Sequence, residues 1–292
     1  MISLIAHAAL AAAAPAGAIA ADPADESTIV VMGERKPAKE TIRAFVRDLT
    51  PVAWQRQLGR FEQPVCPATF GLPPRQADGV TQRIRRVAQA AAIRVGGSQC
   101  APNLVVIVTA DKTALLEQLR RDRPEYFGIL AARQTRALVR DPGPAAAWHL
   151  AGPPVNARGV ELQVDPAFET YVNRTTEPVS RIHSAARPSF DGAVVVVRRS
   201  ALAGLTVAQL ADYAALRALT GADPARLAKS PVPSILTVLE APMGSAVPIT
   251  MTKWDLGFLR GFYASPRNLG TGAQRSEIAK GVARELKGEQ PR

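Results

Sequence analysis

Two uninterrupted apolar runs constrain this chain most: Leu104 to Val108 (LVVIV) and Val194 to Val197 (VVVV). Each is too short for an independent helix and rich in β-branching, so each reads as a strand covered on both faces. Sheets built from such strands need helices on either side. Helical patterns flank the first run. Pro37 to Leu49 repeats apolar residues at Ile42, Phe45, Val46 and Leu49, with Pro37 suited to the first turn. From about Gln76 to Val95, Val80, Ile84, Val87, Ala91 and Val95 form one stripe, and Gly96-Gly97 is expected to end it. Asp111 opens a further helix containing Leu115, Leu116 and Leu119, and another is expected over Ala131 to Val139.

Three helices close the sequence, over Thr206 to Leu219, Thr252 to Tyr263 and Ala273 to Leu286. The first two begin with Thr-x-x-Gln and Thr-x-x-Asp, in which each side chain can satisfy a backbone N–H of the other residue. The third reads as a surface helix, with Ile278, Val282 and Leu286 on one face. Ser27 to Met32, Arg181 to Ala185 and Ala193 to Arg198 read as strands. Asp141 to Gly159, rich in Pro, Gly and Ala, reads as loop and as a boundary. The expected class is α+β (mixed α/β), with an N-terminal α/β lobe over residues 21–145 and a C-terminal strand-plus-helix lobe over 146–292.

Residues 1–20 carry no charged side chain, and an apolar run from Ile2 to Ala14 precedes Ala18-Ile19-Ala20. This is the pattern of a signal peptide cleaved near Ala20, giving a periplasmic or secreted chain. No later run reaches the eighteen apolar residues of a membrane span. In an oxidising compartment Cys66 and Cys100 are expected to form a disulfide, worth on the order of 3 kcal/mol in the chain-entropy model.

The formal net charge is +11. Basic residues form short clusters at Arg83, Arg85 and Arg86 and at Arg120, Arg121 and Arg123, candidates for an anion-binding face. Export and an aromatic content of 5% argue against nucleic acid as partner. The expected partner is an anionic envelope component or another exported protein.

Motifs that carry chemistry are missing. The sequence has no G-x-S-x-G, no G-x-x-x-x-G-K-[ST] and no G-x-G-x-x-G. The candidate polar residues are His149, His183, Asp212 and Tyr213. His149 and His183 alternate with apolar neighbours, as strand residues do. With Glu161, Asp165 or Asp191 they offer the material for a metal or acid–base site.

From Thr206 to Tyr263 the chain resembles the C-terminal part of a family of exported alphaproteobacterial proteins of unknown function that are similar to zincin metallopeptidases. The matching pieces are the helix Gln209-Leu-Ala-Asp-Tyr-Ala-Ala-Leu-Arg-Ala-Leu219, the stretch Pro231-Val-Pro-Ser-Ile-Leu236, and the helix Thr252-Lys-Trp-Asp that ends in Tyr263. Pro64-Val-Cys-Pro67, Gly71-Leu-Pro-Pro74 and Cys100-x-Pro102-Asn103 are similar to features of a smaller set of relatives. The resemblance implies a zincin-like fold whose metal centre is missing. H-E-x-x-H grips zinc through two histidines one turn apart; here the helix carries Asp212 and no histidine follows His183. The expectation is an exported non-catalytic binding or envelope-associated module, without metal or cofactor. The alternative is a metal-dependent hydrolase acting on peptide or cell-wall substrate.

Overall fold

The computed structural model describes residues 38–51, 57–128, 130–156, 158–167, 169–173, 186–242, 244–266 and 268–289. The signal-like segment, the strands expected at Ser27 to Met32 and Arg181 to Ala185, and His183 lie outside them. Described in chain order, the elements are α1 (Lys39–Leu49), β1 (Arg60–Phe61), β2 (Pro67–Phe70), α2 (Pro74–Ala90), β3 (Leu104–Thr109), α3 (Lys112–Asp122), α4 (Ala132–Arg140), β4 (Ala145–Asn156), β5 (Gln163–Asp165), β6 (Thr170–Val172), β7 (Ala186–Arg198), α5 (Val207–Thr220), α6 (Lys253–Ala264) and α7 (Thr271–Leu286).

The protein is mixed α/β. The two apolar runs pair with each other: Leu104 to Thr109 lies parallel to Ala193 to Arg198 in register. β2 extends the sheet parallel to β3, and β4 runs antiparallel along β7. β1 pairs with Ser189 and Phe190, in line with β3 along the same side of β7. β5 and β6 form a separate antiparallel pair.

Alternation along the strands divides the interior in two. Leu104, Val106 and Val108 with Ala193, Val195 and Val197 face a large core built by α1, α2, α5, α6 and α7. Val196, with Val194 and Ile107 at its margin, faces a smaller core containing Leu116 of α3, Val139 of α4, Phe127 and Trp148. Helices therefore cover both faces, which is why these strands carry no polar alternation.

Asp141 to Gly159 is not a loop, because twelve of its residues form β4. Alanine and proline hide the strand in the sequence. Pro153 and Pro154 sit in the register shift between Gly152 and Val155, where no ladder pair to β7 calls on their missing N–H groups, so they cost little. The boundary expected near residue 145 also falls inside one sheet. β7, from the second half, lies between β3 and β4, and residues Ala38–Arg292 form one unit.

The helix expected to reach Val95 stops at Ala90. Ala92 takes the left-handed conformation (φ 57°), and Ile93 N–H donates to the Ala88 carbonyl at 2.9 Å. This is a glycine-type helix ending made with alanine. The two helix-start boxes form as expected. Thr206 Oγ1 accepts from Gln209 N–H at 3.2 Å, and Gln209 Oε1 accepts from Thr206 N–H at 2.9 Å. Thr252 Oγ1 accepts from Asp255 N–H at 3.1 Å.

α7 is more deeply seated than a surface helix, with Gln274, Ile278, Gly281 and Val282 buried. Three glycines permit the approach. A Cβ on Gly281 would lie 2.7 Å from Gly261 Cα, and one on Gly257 would lie 2.8 Å from Val282 Cα. The disulfide Cys66–Cys100 ties the start of β2 to the loop before β3. No helix among the described residues is long and apolar enough to cross a membrane.

Candidate functional site

Asp212 lies on α5 and is fully buried. Its Oδ1 accepts from Arg83 Nε at 2.7 Å. Its Oδ2 accepts from Arg83 Nη2 at 2.9 Å, Thr250 Oγ1 at 2.6 Å and Met251 N–H at 2.7 Å. Both oxygens are occupied by a forked guanidinium and two further donors. The carboxylate joins α5 to α2 and to the segment leading into α6. The bond to Asp212, opposed by burial, raises the Arg83 pKa above its ordinary value.

A second buried carboxylate works the same way. Asp255 accepts from Ser234 Oγ at 2.6 Å, Ile235 N–H at 2.8 Å and Thr252 Oγ1 at 2.8 Å. Burial pushes its pKa up against these bonds. Together the two acids fasten both ends of the stretch between Ser234 and Thr252.

Tyr213 is buried, and its hydroxyl accepts from Arg217 Nη1 at 3.3 Å. Burial raises its pKa. His149 sits on β4 with its ring stacked on Phe190 at 4.0 Å and Nε2 2.8 Å from the Ala218 carbonyl oxygen. Burial lowers its pKa to about 4, so the ring is neutral near pH 7 and Nε2 carries the donated proton. His149 and Asp212 meet α5 at different places, six residues apart, or about 9 Å along the axis. They share no hydrogen-bond partner. Among the described residues, no group of three or more His, Cys, Asp or Glu is placed to hold a metal.

The two basic clusters face different layers. Arg83 is taken by Asp212. Arg85 donates to the Gly96 and Gly97 carbonyls at 2.7 and 3.2 Å, and its Nη2 lies 3.4 Å from Cys100 Sγ. Arg86 is exposed. On α3, which packs on the other side of the sheet, Arg120 pairs with Glu117 at 2.8 Å and Arg123 with Glu125 at 2.6 Å, while Arg121 is exposed.

Other arginines do converge. A cleft of about 240 Å³ opens between β1, the end of α2, α6 and α7, and Arg60, Arg94, Arg260 and Arg284 all line it. Arg60 Nη1 donates to the carbonyls of Phe262 (3.2 Å), Tyr263 (2.5 Å) and Ser265 (3.0 Å). Arg260 Nε donates to the Ala90 carbonyl at 2.8 Å and its Nη1 pairs with Glu285. These two cations stand at the carbonyl ends of α6 and α2, where positive charge is favoured. Nothing in the sequence announces this set. Its members span more than two hundred positions, and each alone looks like solvated surface. A second, mostly apolar cleft of about 610 Å³ runs beside β4 and α4, where His149, Trp148, Leu138 and Asp141 line it.

Comparison with family models, curated proteins and solved structures finds no match.

Proposed function

We propose that the chain is an exported, non-catalytic binding module associated with the cell envelope, a relative of zincin-like proteins that lacks a metal centre. The observation that carries this reading is the state of the α5 helix. Its one carboxylate, Asp212, has both oxygens engaged by Arg83, Thr250 and Met251, so none is left to activate water. His149 is neutral and held by a backbone carbonyl on a different stretch of α5. The signal-like N-terminus and the Cys66–Cys100 disulfide suit an oxidising compartment. The net charge of +11 and the arginine-lined cleft suit an anionic partner.

The test is hydrolysis by the purified mature chain of casein and of peptidoglycan, with and without a chelator. The reading expects no cleavage in either condition. Cleavage that a chelator abolishes would overturn it in favour of a metal-dependent hydrolase.

A further inference from the structure

We propose that the cleft between β1, α2, α6 and α7 binds a small organic anion, gripped through its carboxylate or phosphate group by Arg94 and Arg284. The proposal names a ligand class for the binding-module reading and rests on it.

The argument is an account of charge. Glu62 is paired with Arg60 at 3.1 Å and with the buried Arg187. Glu285 is paired with Arg260, and Glu289 with Lys287 at 3.5 Å. Each acid lining the cleft therefore has a cation, and Glu62 has two. The carbonyl ends of α6 and α2 are met by Arg60 and Arg260. Arg94 and Arg284 remain. Arg94 donates to the Glu62 carbonyl oxygen, which has no formal charge to offset it. Arg284 is exposed on α7 and forms no ion pair among the described residues.

Shape agrees with charge. The cleft has an apolar wall that includes Phe61, Ala91, Ala92 and Ile93, and its volume suits one ring or a short chain. Guanidinium groups bind carboxylate and phosphate through paired N–H donors, and partial enclosure strengthens such bonds. Elsewhere Arg86 and Arg121 are exposed and form no ion pair among the described residues, but neither lines this cleft. They supply the control.

The experiment is calorimetric titration of the full mature chain, disulfide intact, with phenyl phosphate and with benzoate. Saturable one-to-one binding of at least one probe is expected, and the stronger probe identifies the head group. Arg94→Gln and Arg284→Gln should each weaken it about tenfold or more. Arg86→Gln with Arg121→Gln, which removes twice the charge of either single variant, should leave it unchanged. Amide shifts on binding should centre on Ala91 to Arg94 and on Gly281 to Glu285, a readout that needs no variant. Vesicles of phosphatidylglycerol that bind only with Arg94 and Arg284 intact would assign the same chemistry to a lipid headgroup. Equal loss in the control pair, shifts confined to other surfaces, or no saturable binding of any probe would overturn the proposal. Hydrolysis assays judge the parent reading separately, so the two failures are distinguishable.

Discussion

Arg83 on α2 and Asp212 on α5 form a two-pronged bond, Nε to Oδ1 at 2.7 Å and Nη2 to Oδ2 at 2.9 Å, across the larger core. The acid is fully buried, while the arginine side chain retains 31% exposure. Removing the acid leaves Arg83, Thr250 and Met251 N–H without their acceptor. Removing the arginine leaves a buried acid with two donors. Asp212→Ala, which strands three donors, and Arg83→Met, which leaves a buried carboxylate short of its counter-charge, should therefore each cost about 2–4 kcal/mol. Urea unfolding of the two variants and their double mutant measures both the costs and the coupling.

His149 makes stability depend on acid. Its folded pKa of about 4 lies below the ordinary value of 6.5, so between those values the unfolded chain binds more protons. Stability is full above about pH 6.5 and falls as pH drops through about 4. The limit is about 3 kcal/mol. Buried Asp255 acts in the opposite sense, because its raised pKa favours the folded state on acidification. The difference between wild type and His149→Phe, measured by urea unfolding at several pH values from 7.5 to 4, isolates the histidine. A constant difference would contradict its assignment.

The ending of α2 can be improved. Ala92 holds a left-handed conformation that glycine adopts without strain. Ala92→Gly should raise stability by about 0.5–1 kcal/mol, a small upward shift in Tm.

The α6–α7 crossing cannot accept a methyl group. At Gly281 the nearest atoms to an added Cβ are backbone, Gly261 Cα at 2.7 Å and Gly257 O at 3.0 Å. No rotamer change relieves them, so the helices must separate. Gly281→Ala should cost about 2 kcal/mol or more, and Gly272→Ala, where nothing lies within 4 Å, should cost little.

The buried strands were legible because burial on both faces leaves no polar residue to interrupt them. The threonine helix starts were legible because capping is local. The pairing of Cys66 with Cys100 was legible because the chain has only two cysteines and its N-terminal residues read as an export signal. β4 was not legible: Ala145, Ala146 and Ala147 are neutral in propensity, and its prolines are tolerated only through a register shift the sequence does not display. That strand and β7 join β2 and β3, so strands from both halves of the chain share one sheet. Asp212 was visible as a polar residue on an apolar helix. Its partner Arg83 lies 129 positions away and looked like part of a basic cluster. The arginine cleft was invisible because it exists only after β1, α2, α6 and α7 assemble.

The most direct test of the central claim, that Asp212 holds the fold together and does not serve a metal, is elemental analysis of the protein purified without chelators. The account predicts zinc and other transition metals far below one ion per chain, unchanged in Asp212→Asn. About one ion per chain, lost with that substitution, would contradict it.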